Sequence, residues 1–541
     1  MKYRRAVTMI AILCSAALAV ISHPLAAGAD SATSGVVVVK TRPGSVRGLI
    51  NGHTRKFMGI PFAAPPVGKL RWEPPQPHAD WTGILDAARP GSSCPQMSFS
   101  GSRLEGSEDC LYLNVYTPNP AGSGLPVMVW IHGGSFIMGS GADYDGTMLA
   151  QKGNLIVVTI NYRLGPLGFL ASRSIERTSP DHTSGNYGIM DQQVAFKWVK
   201  ENIAAFGGDP SRVTIAGESA GGQSVGLQIV SPLAAGLFQR AILESGPFIS
   251  MRPIASTRTL AEQDKHSDEF IGKLGCSGAY DVLACLRDQP LDQVMRALPA
   301  SPIGQAEPVW APVIDGHVVP TEPGDALRAG KFNKVPVISG SNHDEGTLFM
   351  AYGQQLSVAQ YEAGLRHWSG DKAPQALEAY PASKYSTPLQ ALAAVFGDRI
   401  LSCPIIGATE LLSTQVPVFQ YEFNDPHAPG LFPNPPFPLG ASHGSEIPYV
   451  FGSASQRASA TPEQQRLSDA MMQYWIDFIL TGDPDGHQPR WNRYSDTTHQ
   501  VLSLAPGAIR MESDFRAEHH CDLWESMDTS GLRVGRAADG Q

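Results

Sequence analysis

Six short runs restrict the fold of this chain more than any other feature. Val127–Ile131, Leu155–Ile160, Val213–Ala216, Ala241–Leu243, Val335–Ile338 and Val418–Phe423 are apolar almost without interruption. A strand with one wet face alternates apolar and polar residues, whereas a strand buried on both faces does not. Helical patterns lie between the runs. From Met190 to Ala205, Val194, Trp198 and Ile203 fall near one face, with Lys197, Lys200 and Glu201 interspersed. Thr461-Pro462 opens a second helix; Met471, Tyr474, Trp475, Phe478 and Ile479 recur at helical spacing, and Gly482 stops it. Strands alternating with helices predict an α/β fold with a mostly parallel sheet covered on both sides. The segment from about 250 to 330 reads as a helical, loop-rich insertion around the site. No low-complexity linker divides the chain, so residues 30–541 are expected to form one large domain.

The first 29 residues read as a signal peptide. Lys2, Arg4 and Arg5 precede an apolar stretch from Ala6 to Ile21, followed by Pro24 and the small residues Ala27-Gly28-Ala29. The stretch is shorter than the roughly 20 apolar residues that cross a bilayer. No later stretch is both long and charge-free enough to do so, and the mature chain is expected to be soluble, without a membrane anchor, and secreted or periplasmic. With 41 basic against 50 acidic residues, a net charge of −9 disfavours nucleic acid and anionic membrane as partners. Cys14 leaves with the leader. Cys94, Cys110, Cys276, Cys285, Cys403 and Cys521 remain, an even number that favours disulfides in an exported chain. Proximity suggests 94–110 and 276–285, leaving 403–521 as a long-range staple. There is no CxxC pair with a partner set, and neither a zinc site nor another cofactor is expected.

The chemistry is carried by glycine-flanked serines. G-x-S-x-G occurs three times, around Ser219, Ser224 and Ser442. A nucleophile elbow needs a strand running in and a helix running out, with glycines where the turn leaves no room for side chains. Only Gly217-Glu218-Ser219-Ala220-Gly221 has both, since Val213–Ala216 supplies the strand. A serine hydroxyl is a weak nucleophile and needs a base, a group that orients the base, and donors for the oxyanion. His132-Gly133-Gly134-Ser135 follows the strand Val127–Ile131, and its bare glycine amides, with that of Ala220, suit an oxyanion hole. After the run Val335–Ile338 comes Asn342-His343-Asp344-Glu345-Gly346, with two carboxylates at a strand's carboxyl end. The order serine, acid, histidine then requires a downstream histidine. His427, His443, His487, His499, His519 and His520 are the candidates; His443, between Ser442 and Gly444, has the most room to point into a cleft.

Together these residues resemble the type-B carboxylesterase and cholinesterase family of α/β-hydrolases, from about Val37 to Cys521. The resemblance is carried by Gly59-Ile60-Pro61-Phe62-Ala63, Pro65-Pro66, Ser107–Asn114, Phe206-Gly207-Gly208-Asp209-Pro210, the elbow, the acid loop and His443-Gly444-Ser445-Glu446. It implies an α/β-hydrolase fold and a serine carboxylic-ester hydrolase acting on small-molecule esters. It implies Ser219 as nucleophile, His443 as base, Glu345 rather than Asp344 as the orienting acid, and Gly133, Gly134 and Ala220 as oxyanion donors. It also implies Glu218 as a buried accessory carboxylate, Arg71 and Glu108 as a structural ion pair, and the disulfides 94–110, 276–285 and 403–521. Two departures stand out. The Cys94–Cys110 loop is shorter than the family's lipases and cholinesterases lead one to expect, and it holds no Trp to receive a quaternary ammonium. A choline-ester specialist is therefore not expected, and neither is a long apolar lid. A second class on the same fold is an adhesion protein lacking the nucleophile; the intact elbow and oxyanion glycines argue against it.

Overall fold

All six apolar runs fall on strands, although Val335 and Pro336 precede the strand Val337–Asn342 and Leu155 precedes Ile156–Ile160. The computed structural model describes residues 34–98, 101–177, 184–250, 257–298, 309–351, 353–429, 435–486 and 489–528. The expected leader, Phe99, Ser100 and His487 lie outside the described residues. The strands Ile156–Ile160, Leu125–Ile131, Gly208–Glu218, Arg240–Glu244, Val337–Asn342, Val418–Phe423 and Val501–Leu504 are neighbours in that order, every pair parallel. Every residue of Leu125–Ile131 and of Ile156–Ile160 is buried. Side chains alternate between the faces, so Val127, Val129 and Ile131 enter one apolar core while Met128 and Trp130 enter the other. Burial on both faces is the physical reason for the uninterrupted apolar runs.

The sheet is larger than the runs suggest. Ser34–Lys40, Ser45–Asn51, Thr54–Pro61 and Tyr112–Pro118 extend it by antiparallel pairing up to Ile156–Ile160, Ile84–Asp86 lies beside Ser45–Asn51, and Arg510–Glu512 closes the far edge. These strands carry Gly, Pro and charged residues, as in Thr54-Arg55-Lys56-Phe57-Met58-Gly59-Ile60-Pro61, and Val36 and Val38 face solvent. A sheet region with a wet face has no continuous apolar signature.

Helices cover both faces. Tyr187–Asn202 continues into a tighter turn at Ile203–Phe206. Pro462–Thr481 begins at a reciprocal cap between Thr461 and Gln464, and ends where Gly482 takes φ 84°. Pro388–Gly397, the wide turn Asp398–Ser402 and Cys403–Ser413 form one continuous apolar helix of 26 residues. By length and hydropathy it could cross a membrane, contrary to the sequence expectation that no later stretch could. It is instead packed into the core, where 83% of an apolar 18-residue stretch within it is buried. The described residues of the 250–330 segment form the helices Leu260–Lys273, Val282–Arg287, Leu291–Ala297 and Pro323–Arg328 with a two-stranded ladder. Its Phe270, Val294 and Trp310 join the apolar core shared with the main sheet.

Candidate active site

The strand Gly208–Glu218 runs into Ser219 and the helix Ala220–Val230 runs out. Ser219 adopts φ 57° and ψ −124°, a conformation costing on the order of 1–3 kcal/mol for a residue with a side chain. Neighbouring backbone holds it there. Its amide donates to the Glu244 carbonyl at 2.9 Å, and a Cβ on Gly221 would collide with the Ile131 carbonyl oxygen. The other two G-x-S-x-G serines differ. Ser224 Oγ donates to the Ala220 carbonyl inside the helix at 2.8 Å, and Ser442 is fully buried in the loop before His443.

Gly133, at the end of the neighbouring strand, lies against this turn. A Cβ there would stand 2.7 Å from a Glu218 carboxylate oxygen and 3.0 Å from Ser219 Cβ, so only glycine lets the two segments meet. Gly134 follows at φ 103°. The His132 ring stacks on Tyr162 with centroids 4.4 Å apart, and its Nδ1 lies 2.8 Å from the Gly133 carbonyl. Burial lowers its pKa to about 4 and keeps it neutral. Burial also holds the Tyr144 phenol above its ordinary range.

The two carboxylates of the acid loop meet different partners. Glu345 is fully buried; its Oε1 accepts the Asn342 amide at 2.8 Å and its Oε2 lies 2.5 Å from His443 Nδ1. Asp344 turns the other way. Its Oδ2 accepts the Ala441 amide at 2.9 Å, and its Oδ1 lies 3.2 Å from His343 Nδ1. Of the described candidate histidines, only His443 meets Glu345: His499 bonds Tyr494, His519 bonds Asp398 and Glu422, His520 packs on Tyr380, and the His427 carbonyl accepts from Gln464.

His443 Nε2 makes no hydrogen bond to a described residue and stands 3.3 Å from Glu218 Oε1. No Ser219–His443 hydrogen bond is formed. Burial lowers the His443 pKa, but the carboxylates of Glu218 and Glu345 outweigh it and push it up to about 9. Around this ring lies a group that sequence reading only partly anticipated. Burial raises Glu218 to about 7 and Glu244 to about 8, and raises Glu446 well above the carboxylate range. Trp475 Nε1 donates to Glu244 at 2.7 Å, and Asn342 Nδ2 donates to Glu446. Glu244 carries one legible signal, a carboxylate closing the apolar strand Arg240–Glu244 where the neighbouring strand delivers Ser219. Phe349 packs its ring 4.8 Å from that of His443, and nothing in its local sequence distinguishes it.

The three disulfides join Cys94 to Cys110, Cys276 to Cys285 and Cys403 to Cys521. Arg71 Nε and Nη2 each meet Glu108 at 2.6 Å, and Arg71 Nη1 also donates to the carbonyls of Arg287 and Gln289. The Cys94–Cys110 loop folds back on itself at Gln96–Met97 and Leu104–Glu105, and the Gln96 side chain bonds both backbone groups of Gly139. Among the described residues no group of three or more His, Cys, Asp and Glu is arranged to hold a metal ion.

Comparison with known proteins follows the same lines. Residues 35–524 match the model of the carboxylesterase family. The chain is 39% identical over 494 residues to fumonisin B1 esterase of Sphingopyxis macrogoltabida, covering 87% of this chain and 86% of that protein. It is 36% identical over 508 residues to para-nitrobenzyl esterase of Bacillus subtilis (strain 168), covering 90% and 99%. A solved structure of PNB esterase superimposes with a TM-score of 0.76 at 36% identity, covering 90% of this chain and 99% of that one. An elbow serine on a mixed α/β sheet, together with this similarity along nearly the whole chain, makes the protein a member of the carboxylesterase family, a carboxylic-ester hydrolase with the α/β-hydrolase fold.

Proposed function

We propose that the protein is an exported serine esterase that cleaves dissolved carboxylic esters through an acyl-enzyme on Ser219, with His443 as base and Glu345 as the acid that orients it. The observation that carries this reading is the His443 ring itself: Nδ1 is held by Glu345 at 2.5 Å, while Nε2 is left without a hydrogen-bonding partner beside the elbow. In acylation, Ser219 Oγ bonds to the ester carbonyl carbon as His443 Nε2 takes the hydroxyl proton. The amides of Gly133, Gly134 and Ala220 stabilise the oxyanion. Collapse breaks the C–O bond, and the departing alkoxide takes the proton from Nε2. Water then attacks the acyl carbon as His443 Nε2 takes its proton; collapse breaks the bond to Ser219 Oγ, which takes that proton as the acid leaves. Glu218 stands 3.3 Å from Nε2 and favours the imidazolium formed in each step.

Export agrees with three disulfides, which persist in oxidising compartments. The preference for dissolved substrates rests on the Cys94–Cys110 loop. Its Met97 and Leu104 pack against the core, and Gln96 ties it to Gly139, leaving no long apolar flap to open at an oil surface. Two measurements test the reading. A fluorophosphonate should label Ser219, identified by peptide mapping, and an adduct on another serine would overturn the mechanism. Rate should saturate smoothly with short acyl esters through their solubility limit, and a jump on emulsification would overturn the substrate preference.

A further inference from the structure

The back of the acid loop carries a second buried histidine with a full set of partners. His519, 2% exposed, places Nδ1 2.5 Å from Asp398 Oδ1 and Nε2 2.6 Å from Glu422 Oε1. Both partners connect to Glu345. Asp398 begins the wide helical turn directly after Gly397, and a Cβ on Gly397 would stand 2.8 Å from the Gly346 amide nitrogen and 3.3 Å from Glu345 Cβ. Glu422 is the register partner of Ser341 on the strand that delivers the acid loop. Next to His519, Glu518 Oε1 lies 3.1 Å from His343 Nε2, and the His343 amide donates to the Phe423 carbonyl at 3.0 Å. The C-terminal segment is fastened to the long helix by the Cys403–Cys521 disulfide. It is also fastened by Trp524 Nε1, which donates to Tyr380 Oη, itself a donor to Asp398.

We infer that His519 is a positioning residue for the reaction: its imidazolium clamps the helix behind Glu345 to the strand paired with the one that leads into Glu345, and so holds the carboxylate on His443 Nδ1. The inference rests on the proposed role of Glu345. Long contacts suit this purpose, since a carboxylate on a turn has several rotamers and only rigid packing behind it selects one. The groups facing the ring are Asp398, Glu422, His343, Glu518 and His520, with Tyr380 bonded to Asp398; the carboxylates among them keep the imidazole charged despite burial, its pKa pushed up to about 10. A charged clamp of this kind keeps its two bonds throughout the pH range in which the enzyme would work.

The test compares His519→Gln, Glu345→Gln and the parent enzyme, with kcat expressed per folded molecule from calorimetric melts and kcat/KM followed against pH. If removing one charge from the buried set prevents folding, His519→Gln/Glu422→Gln is used, since it leaves no uncompensated carboxylate at Glu422. The clamp predicts that kcat falls at least about tenfold, short of the roughly 10⁴-fold lost when an orienting acid is itself replaced, with KM within about twofold. It further predicts that the acid limb of the profile moves to lower pH, because His443 loses part of its bond to Glu345. Loss of a positive charge acting only through space would move that limb to higher pH, and would overturn the inference. So would a lower melting temperature with kcat per folded molecule and the limb both unchanged. If Glu345→Gln itself keeps full activity, the failure lies in the catalytic assignment rather than in the clamp.

Discussion

His443 and His519 are built from the same parts. Each is a buried imidazole held between two carboxylates, each has Nδ1 at 2.5 Å from an acid, and each pKa is raised above the ordinary histidine value by its carboxylates. They differ at one nitrogen. His519 Nε2 is engaged at 2.6 Å by Glu422, whereas His443 Nε2 has no hydrogen bond and its second carboxylate stands off at 3.3 Å. A fully bonded imidazolium has no proton to exchange and no free lone pair, so it can only hold things in place. An imidazole with one nitrogen uncommitted, next to a serine in a strained turn, can accept and return a proton. The same residue type in nearly the same electrostatic setting is thus a brace in one place and a candidate base in the other. What separates them is hydrogen-bond occupancy, not charge.

The sharpest way to break this comparison is to remove the group that His443 would serve. Ser219→Ala should lower kcat by on the order of 10⁴- to 10⁶-fold, whereas Ser224→Ala and Ser442→Ala should retain much of the activity. Steady-state hydrolysis of a chromogenic ester decides it. The next largest effect separates the two neighbouring acids. Glu345→Gln should cost roughly 10⁴-fold by leaving Nδ1 misoriented, while Asp344→Asn, whose parent carboxylate bonds the Ala441 amide, should stay within about tenfold. Equal losses would mean that the loop acts as a unit and that the contrast with His519 is wrongly drawn.

A smaller effect probes Glu218. With His443 as the proposed base, activity would need it neutral, and since Glu218 and Glu345 raise its pKa, kcat/KM should rise with pH through a limb above the ordinary histidine value of about 6.5. Glu218→Gln removes one raising charge, so the limb should move to lower pH by about one unit. A limb that stays in place would show that Glu218 is still protonated where the limb falls, against its own pKa of about 7. The smallest effect is on stability at alkaline pH. The raised pKa of His519 contributes stability that is fully present below its unfolded value of about 6.5 and is lost as pH rises through about 10. The melting temperature of the parent should therefore fall more steeply between neutral pH and pH about 10 than that of His519→Gln/Glu422→Gln. Parallel slopes would show that the His519 charge does not contribute.

Much of this architecture is legible along the chain, for local reasons. The parallel strands announce themselves because both faces are buried, and the helix after Thr461 because its caps are written into Thr461, Gln464 and Gly482. The elbow is legible because its glycines answer to collisions with backbone a few residues or one strand away. The antiparallel strands Ser45–Asn51 and Thr54–Pro61 are not, since their wet faces and mixed composition look like loop. Nor is the apolar helix Pro388–Ser413 identifiable as core, because length and hydropathy are the same for a core helix and a membrane helix until its neighbours are known.

The choice of acid and base marks the boundary most clearly. By itself the sequence determined that a serine elbow, a glycine pair and a carboxylate loop each follow a strand of one α/β sheet, since each depends on spacing within a few residues. It left Asp344 beside Glu345 and six downstream histidines. The family resemblance points to Glu345 and His443, and only the tertiary structure shows which of these side chains meet. Asp344 is drawn to the Ala441 amide, and close packing of Gly346 and Gly397 stands behind Glu345, so the two side chains diverge. His443 reaches Glu345 across 98 residues and His519 reaches Asp398 across 121. Partners that distant are selected by how sheet and helices pack, and no local pattern of residues encodes which nitrogen will be left free.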